Sequence, residues 1–327
     1  MKPEASVIVT VHKRVGFLRQ ALESAVAQTF RAREIIVADD SGSAAASTVC
    51  EPLVTAGYIR YRANPRTLGI AGSLRAAIAD AEGEFISILN DDDLWEPDFL
   101  SQLVPPLQND TKRVLAFSDH WIISEDGSID YNETDANTRR YGRSSLPEGD
   151  LSDSEHFVLG HNGVPLAMAA VFRKKTLDLS LLTDEVSGAY DLWIACILAA
   201  SKGNFYYVPR RLTRYRVHSQ SETGRRHIGR FENQVYIFSQ LLERNWFPKM
   251  NDFLRATLAG IFFMLGRDKL HFDRPRDARS CFFQSIRTRP NWRAAIAILL
   301  SYVPRRIRKC LGISGTSQDG RLGTDPL

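Results

Sequence analysis

Three short apolar runs and a further strand-like segment, YIRYRANP, alternate with segments of helical spacing in the first 90 residues. This alternation limits the fold more than any other feature of the chain. The first run, ASVIVTV at 5–11, has the composition of a strand buried on both faces. It is followed by GFLRQALESAVAQTF at 16–30, whose apolar residues recur at helical spacing. Strands that alternate with helices of this length are typical of α/β proteins. The sequence therefore predicts an α/β fold with a mostly parallel sheet flanked by helices.

The composition is that of an ordinary globular protein. With 327 residues, 44% of them hydrophobic, the chain can bury a large core and has room for one large domain and an appendage. Its net charge is only +4, from 42 basic and 38 acidic residues. Charge therefore gives no argument for a nucleic-acid partner, and we expect none.

Neither the cysteine spacing nor the N-terminal sequence predicts an exported protein. The four cysteines are far apart and form no C-x-x-C pair, so neither a zinc site nor a disulfide framework is predicted. Pro3 and Glu4 stand where a signal peptide needs apolar residues. The most apolar late windows, 258–265 and 294–303, are far shorter than the roughly 20 residues that cross a bilayer. We therefore expect a cytoplasmic protein.

Polar side chains follow three of the predicted strands at the point where each strand ends. Thr10, His12 and Arg14 lie at the end of the first strand, Asp39 and Asp40 follow the second, and Asn90 to Asp93 follow the fourth. Since ligands bind outside the carboxyl ends of strands in such sheets, five carboxylates would meet at one edge. Carboxylates so close repel one another unless a cation neutralises them, and oxygen ligands favour Mg²⁺ or Mn²⁺. A metal and phosphate site is therefore predicted, with a solvated turn as the alternative.

Three motifs carry a family resemblance. SVIVTVHKR, REIIVADDSGS and AEGEFISILNDDD, in this order and spacing, resemble the nucleotide-sugar-binding half of the inverting family-2 glycosyltransferases, which have the GT-A fold. The match covers about residues 5–104, and a weaker one continues to about 219. The resemblance implies a hexosyltransferase-like enzyme with a nucleoside diphosphate sugar as donor and Mn²⁺ or Mg²⁺ as cofactor.

The resemblance also implies roles for residues of the first half. Asp40 falls where the family holds the nucleobase, and His12 falls where a ring stacks on it, although His12 can also be an ordinary histidine at a strand end. Asn90 and Asp91 are implied near the ribose, and Asp92 as the metal ligand. Asp39 and Asp93 are expected to stabilise turns. Three further residues are implied around the donor: Thr10 and Arg14 in the nucleotide pocket, and Arg75 near phosphate.

The second half departs from the family where the catalytic base is implied. Gly188 and Ala189 occupy the positions of an acidic pair, and neither accepts a proton. An inverting transfer needs a carboxylate that deprotonates the acceptor hydroxyl. Asp191 is the nearest substitute, with Asp184 and Glu185 as alternatives, while Asp191 can instead be a helix N-terminal residue. Other implied contributors are His218 for the metal or diphosphate, with a surface histidine as its alternative, Arg216 for the diphosphate, and Asp119 and His120 for the acceptor cleft.

The sequence pattern changes along the chain, from alternating strands and helices to helices alone, and this change predicts the domain organisation. We expect a GT-A domain at 1–225, with a nucleotide-sugar-binding half (1–104) and an acceptor half (105–225). Residues 124–156 are predicted to be loop, and 160–178 a strand with a glycine-rich approach. Helices are predicted from 226 to 312, including a tetratricopeptide-like pair, and a disordered tail from 313 to 327.

The last predicted helix combines apolar and basic residues. Ala294 to Leu311 joins an apolar run to Arg305, Arg306, Arg308 and Lys309. Such a pattern suits contact with an anionic membrane, and a core helix with a solvated basic end is the alternative. The predicted location is therefore the cytoplasm, at the inner face of the plasma membrane if this helix binds lipid.

Together these patterns predict a metal-dependent inverting glycosyltransferase acting on a hydroxyl acceptor, a glycan or lipid-linked oligosaccharide of bacterial surface polysaccharide synthesis. Gly188 and Ala189 keep a second hypothesis open, a non-catalytic protein that binds nucleotide sugars. A dinucleotide-dependent oxidoreductase is disfavoured because the first strand-to-helix turn, TVHKRVGF, has no G-x-G-x-x-G.

Overall fold

The computed structural model describes residues 4–11, 15–218, 228–304 and 307. Its contacts divide the chain into two compact units, 1–225 and 226–327. Several residues with predicted roles lie outside the described part of the chain. They are His12, Arg14, the predicted tail 313–327, and the basic residues Arg305, Arg306, Arg308 and Lys309.

The first unit is built on one mixed sheet, which contains nine strands within the described residues. Its strands run in the order β3, β2, β1, β4, β8, β6, β9, β5, and β7 pairs with β9. The strand bounds are β1 Ala5–Val11, β2 Glu34–Asp39, β3 Arg60–Ala63, β4 Phe85–Asn90, β5 Leu94–Trp95, β6 Arg113–Ile123, β7 Gly149–Asp150, β8 Ala170–Arg173 and β9 Asn204–Arg216. The predicted α/β fold is confirmed.

Parallel pairing joins the first four strands. β1 lies between β2 and β4, with Val11 opposite Asp39 and Thr10 opposite Asn90. Six of the seven residues of β1 are buried, as its continuous apolar sequence predicts for a strand covered on both faces. Because the pairing is parallel, the polar residues that follow β2 and β4 lie at the same edge as the end of β1.

The later strands make the sheet mixed. β8 is antiparallel to both β4 and β6, and β9 is parallel to β6. The two-residue strand β5 pairs with Thr213 and Arg214 of β9. The chain segment between β4 and β5 is only three residues long, so the pairing of β5 holds residues 91–93 beside the end of β9.

Helices flank the sheet. Their bounds are α1 Val15–Val26, α2 Ala44–Thr55, α3 Gly69–Asp80, α4 Phe99–Asn109, α5 Tyr131–Arg140, α6 Ser154–His161, α7 Leu166–Ala169 and α8 Tyr190–Ala200. α1 and α4 bury their apolar faces in the same core cluster as β1, through residues such as Leu18 and Leu103. Gly69 begins α3 with φ of 75°, a conformation that glycine adopts without the penalty of a Cβ atom.

Two predictions for the middle of the chain are wrong. The predicted loop at 124–156 contains α5, which Asp130 caps by accepting a hydrogen bond from the backbone N of Glu133 and which buries Thr134 against β6. The predicted strand at 160–178 is strand only over 170–173, after the short helix α7. Met168 and Ala169 are buried in helical backbone here, so tertiary packing overrides the β-like apolar sequence.

The second unit is helical in its described residues. It contains α9 Ile228–Arg244, α10 Asn251–His271, α11 Pro275–Thr288 and α12 Trp292–Ser301. Ala278, Phe282 and Ala294 form the centre of a small core between α11 and α12. α10 approaches α11 closely at Gly266, where a Cβ atom would lie 2.5 Å from the ring of Phe282. No helix among the described residues is both long and apolar enough to span a bilayer.

Candidate active site

Asp40 is held at the end of β2 by the start of α3. Its Oδ1 accepts hydrogen bonds from the backbone N of Leu68 (2.7 Å) and from Nδ2 of Asn64 (2.8 Å), and its Oδ2 accepts one from the backbone N of Gly69 (2.9 Å). The residue is only 4% exposed. A carboxylate has about four acceptor sites, and these bonds use three. Asp40 is therefore fixed in position, with acceptor capacity left for a ligand N–H group.

Asp39 turns the chain after β2. Its Oδ1 accepts a hydrogen bond from the backbone N of Ser41 at 2.7 Å, and its Oδ2 accepts one from the hydroxyl of Tyr61. Burial and this carboxylate raise the pKa of Tyr61, so the phenol stays protonated and donates. Both oxygens of Asp39 thus stabilise the fold, which is the role expected of a turn residue.

Asn90 connects three parts of the chain at the end of β4. Its side-chain oxygen accepts hydrogen bonds from the hydroxyls of Tyr190 (3.0 Å) and Thr10 (3.3 Å). Its Nδ2 donates to Oδ2 of Asp93 at 3.1 Å. Tyr190 was not among the predicted site residues. Its signal in the sequence was only its place beside Asp191, because the contact spans 100 residues.

Asp92 and His218 form a buried pair. Nε2 of His218 lies 3.0 Å from Oδ2 of Asp92, and the two residues are 9% and 6% exposed. The imidazole also contacts the ring of Phe17, with centroids 5.3 Å apart. The structure thus brings together two of the residues that the sequence predicts for the metal and diphosphate. Asp91, at 1% exposed, is the most enclosed of the predicted donor residues.

The pair provides two protein ligands of the kinds that divalent cations accept. Within the described residues, no group of three or more His, Cys, Asp or Glu side chains is arranged to hold a metal ion. Mg²⁺ and related ions are often held by one or two protein carboxylates, with substrate phosphates and water completing the coordination. Asp92 and His218 therefore fit a cation that takes its remaining ligands from a diphosphate and water.

Arg216 fixes the acidic loop, residues 91–93. Its backbone N donates to Oδ1 of Asp93, and its Nε donates to the carbonyl of Asp92, both at 3.0 Å. Other guanidinium bonds go to the carbonyl of Glu125 and to Gln20. Burial lowers the pKa of Arg216. The expected turn role of Asp93 has a physical basis here, because its oxygens accept from the end of β9 and from Asn90.

Arg75 and Asp184 lie together outside the acidic loop. Arg75 Nη1 donates to the carbonyl of Leu182 at 2.6 Å, and its Nη2 lies 3.9 Å from Oδ1 of Asp184. The side chains of Arg75 and Asp184 are 42% and 75% exposed. Glu185 is also exposed, and a hydrogen bond from Thr183 lowers its pKa. Both alternative bases are thus in contact with solvent.

Asp191 is in the first turn of α8, next to Tyr190. Its Oδ1 accepts a hydrogen bond from the backbone N of Leu192 at 2.8 Å, the contact expected of a helix N-terminal carboxylate. Before it, Ser187 adopts a positive φ of 35°. Apart from Gly188 itself and its two chain neighbours, no atom of the described residues lies within 4 Å of the position that a Cβ on Gly188 would take. The segment where the family's acidic pair is implied is therefore strained at one residue and open at the next.

Asp119 and His120, expected in an acceptor cleft, are buried on β6. The two oxygens of Asp119 accept from Nε of Arg143 (2.8 Å) and from the hydroxyl of Thr138 (2.6 Å). Burial, aided by Arg143, lowers the pKa of His120 to about 3. Asp119 lines a cavity of about 530 Å³ with Trp121 and Tyr207 among others. Both oxygens of its carboxylate accept hydrogen bonds from within the fold, which suits a positioning role better than proton transfer.

The fold is that of known sugar-nucleotide enzymes. The structure of Staphylococcus aureus TarS 1-349 in complex with UDP aligns over 91% of this chain and 89% of that chain, with a TM-score of 0.63 and 14% identity. The mannosyltransferase PcManGT of Pyrobaculum calidifontis, solved with GDP-Man and Mn²⁺, aligns over 96% and 81%, with a TM-score of 0.56 and 16% identity. These similarities define the GT-A fold for the described structure.

Sequence comparison gives the family. Residues 6–167 match the model described as "Glycosyl transferase family 2". A GalNAc(5)-diNAcBac-PP-undecaprenol beta-1,3-glucosyltransferase of Campylobacter jejuni is 23% identical over 93% of this chain and 95% of its own length. An uncharacterised glycosyltransferase of Rickettsia typhi is 26% identical over 74% of this chain and 72% of its own. The chain belongs to glycosyltransferase family 2, as its three motifs predict.

Proposed function

We propose that this family member transfers a sugar from a nucleoside diphosphate sugar to a hydroxyl group, with inversion at the anomeric carbon and with a divalent cation. The observation that carries the proposal is the convergence at one sheet edge of Asp40, Asn90 and the Asp92–His218 pair. A lipid-linked acceptor is supported by the name of the Campylobacter relative, which specifies an undecaprenol diphosphate compound. We place the reaction in bacterial surface glycan synthesis, at the cytoplasmic side of the membrane.

The donor's nucleoside end would bind between β2 and β4. Asp40 keeps one acceptor site that suits an N–H group of the base, because its other bonds hold the carboxylate rigidly. Asn90 and Asp91 lie at the end of β4, on the other side of β1, where they would bind ribose hydroxyls. Thr10 orients the Asn90 amide by donating to its oxygen. This arrangement supports recognition of the nucleoside by fixed acceptors at the ends of β2 and β4, on either side of β1.

Asp92 and His218 would hold the cation against the diphosphate. When bound, a divalent cation neutralises the charge that develops on the leaving diphosphate. The two residues are buried, and Arg216 binds the carbonyl of Asp92, so their positions are set before the donor arrives. Arg75, half exposed on α3, is a further cation for the phosphate region.

The transfer itself would be a single displacement. The acceptor oxygen bonds to the anomeric carbon from the face opposite the diphosphate, the carbon–oxygen bond to the diphosphate breaks, and the acceptor proton passes to a carboxylate. We assign that carboxylate to Asp191, next to Tyr190 at the start of α8, with Asp184 and Glu185 as alternatives. The location of Tyr190 against Asn90 supports placing the acceptor near this helix terminus.

A ligand screen tests the proposal. Thermal unfolding is measured with UDP, GDP and dTDP sugars, with and without Mn²⁺, and donor hydrolysis is followed in parallel. We expect one nucleotide class to raise the unfolding temperature, with a larger increase when Mn²⁺ is present. If no nucleotide shifts the transition, the assignment of Asp40, Asp91 and Asp92 is wrong.

Three variants locate the base. Asp191→Asn, Asp184→Asn and Glu185→Gln each remove one carboxylate while preserving side-chain size. We expect Asp191→Asn to abolish transfer while leaving donor binding unchanged, and the other two to retain transfer. If Asp191→Asn retains transfer and either Asp184→Asn or Glu185→Gln loses it, the base is the residue whose replacement abolishes transfer.

One observation favours a second candidate, a protein that binds nucleotide sugars without turnover. Gly188 and Ala189 provide no carboxylate where the family resemblance implies an acidic pair. Ala189 is the N-cap of α8 and makes no side-chain cap bond, so Ala189→Asp would also stabilise the helix. If the natural chain binds donor but transfers to no acceptor, and Ala189→Asp gains transfer, the second candidate is correct.

A further inference from the structure

The helix α12 is apolar on two sides, and only one of them is covered. Ala294 and Ser301 are buried against the rest of the second unit, and Ile298 packs on the same small core. The opposite side carries Trp292 and Leu299, each 70% exposed, and between them Ile296 at 47%. Their spacing of four and three residues makes one stripe along the helix. We call these three residues the outer stripe of α12.

Exposed apolar side chains continue beyond the helix. Tyr302 is 67% exposed and Ile307 is 50% exposed. A helix with apolar residues all round is normally buried, and contiguous exposed apolar surface marks an interaction site. The outer stripe therefore requires an occupant that accepts apolar side chains.

The charge of this region indicates what the occupant is. Between Asp277 and Asp319 the sequence contains eight Lys or Arg residues and no Asp or Glu. Of these, Arg287, Arg289 and Arg293 are exposed, and none of the three forms an ion pair with another described residue. Arg293 lies on α12 itself, with its guanidinium 5.6 Å from the ring centroid of Trp292. The occupant must therefore be anionic as well as apolar.

We propose that the outer stripe of α12 docks on an anionic lipid bilayer, with the helix in the plane of the interface. A ten-residue helix is about 15 Å long, which suits an interfacial position. Trp292 has the ring type that favours the headgroup level, and the arginines match anionic lipid. A second copy of the chain would bring two basic regions together, and nucleic acid would leave the apolar stripe exposed. This surface is independent of the donor site and goes beyond the proposed transfer.

Vesicle sedimentation tests the docking surface with the full chain. Phosphatidylcholine vesicles are compared with vesicles containing about one-third phosphatidylglycerol, at low and high salt, without donor or acceptor. The test variant is Trp292→Ser with Leu299→Ser, two exposed positions whose loss leaves the core intact. The matched control is Tyr58→Ser with Val54→Ser, which removes an exposed aromatic and an exposed aliphatic residue from the first unit.

We expect the natural chain and the control to bind the anionic vesicles and to lose binding at high salt. The test variant should bind them about tenfold or more weakly, because two apolar side chains no longer enter the interface. Circular dichroism checks that it remains folded.

Three results would overturn the proposal: no preference for anionic vesicles, equal loss in the control, or unchanged binding in the test variant. Self-association of the free chain that the test variant abolishes would instead assign the stripe to a second copy. Since the assay contains no nucleotide sugar, its failure leaves the proposed transfer reaction unaffected, and failure of the transfer assays leaves this result unaffected.

Discussion

Replacing Asp40 by asparagine should weaken both the fold and nucleotide binding. The carboxylate accepts three hydrogen bonds, two at Oδ1 and one at Oδ2. In Asp40→Asn the side-chain oxygen can keep the two bonds now made at Oδ1. The new NH₂ group then replaces Oδ2, which now accepts a hydrogen bond from the backbone N of Gly69 at 2.9 Å, so that two donors face each other. One charge-assisted bond is lost and a buried donor is left unpaired, which costs about 2–3 kcal/mol of unfolding free energy.

The same change should reduce nucleotide affinity. A hydrogen bond from the base to a charged acceptor is worth about 1.5–3 kcal/mol, so we expect an affinity loss of about tenfold to a hundredfold. Urea unfolding gives the stability, and calorimetric titration of the nucleoside diphosphate identified by the screen gives the affinity.

Asp39→Asn is the matched control. Asp39 is equally buried, at 3% against 4%, but its oxygens serve the turn and Tyr61. The Tyr61 hydroxyl can reverse its bond and accept from the new amide, so we expect a loss of only about 1 kcal/mol. Nucleotide affinity should be unchanged. The reasoning is refuted if Asp40→Asn binds nucleotide normally, or if Asp39→Asn loses binding and Asp40→Asn does not.

Three further predictions concern other parts of the molecule. Gly266→Ala should lower the unfolding free energy of the helical unit by about 1–3 kcal/mol, because the new Cβ atom would meet the ring of Phe282. Gly260→Ala on the same helix, where the Cβ atom would enter open space, should raise it by about 0.5–1 kcal/mol. Equal effects of the two changes in urea unfolding would contradict this packing. Tyr190→Phe should slow transfer about threefold to tenfold through loss of its bond to the amide oxygen at the end of β4, and an unchanged rate would remove Tyr190 from the site. Burial lowers the pKa of His120 from 6.5 to about 3, so between these values the unfolded chain binds a proton that the folded chain excludes. The unfolding free energy should therefore rise with pH between about 3 and 6.5. In His120→Gln the unfolding free energy should rise less steeply over the same pH range, and an unchanged rise would contradict this role of His120.

The sequence predicts the parallel half of the sheet because its signals are local. β1, β2 and β4 each contain a continuous apolar run, and parallel pairing places the ends of these three strands at one edge. The positions of Asp40 and Asn90 at that edge follow from the strand ends alone. Helix α3, Gly69–Asp80, is also a local element, because its buried apolar residues recur at helical spacing.

The other features of the sheet and of the site depend on contacts that leave no periodic signal in the sequence. β5 has two residues, too few to show alternation, yet its pairing with β9 brings Asp93 to the backbone of Arg216. The bond from Tyr190 to Asn90 and the pair of His218 with Asp92 join residues 100 and 126 positions apart. The bonds of the Arg216 side chain to the carbonyls of Asp92 and Glu125 likewise join distant residues, and its expected contact with the diphosphate stays a prediction.

Binding of Mn²⁺ to the free chain and to the chain with a nucleoside diphosphate tests the site most directly. The free ion is followed by electron paramagnetic resonance, for the natural protein and for Asp92→Asn. In the proposed site the chain would provide two ligands, Asp92 and His218. We therefore predict weak Mn²⁺ binding alone, tight binding when the diphosphate is present, and loss of that increase in Asp92→Asn. Mn²⁺ affinity that is unaffected by nucleoside diphosphate, or an increase that survives in Asp92→Asn, would contradict the account.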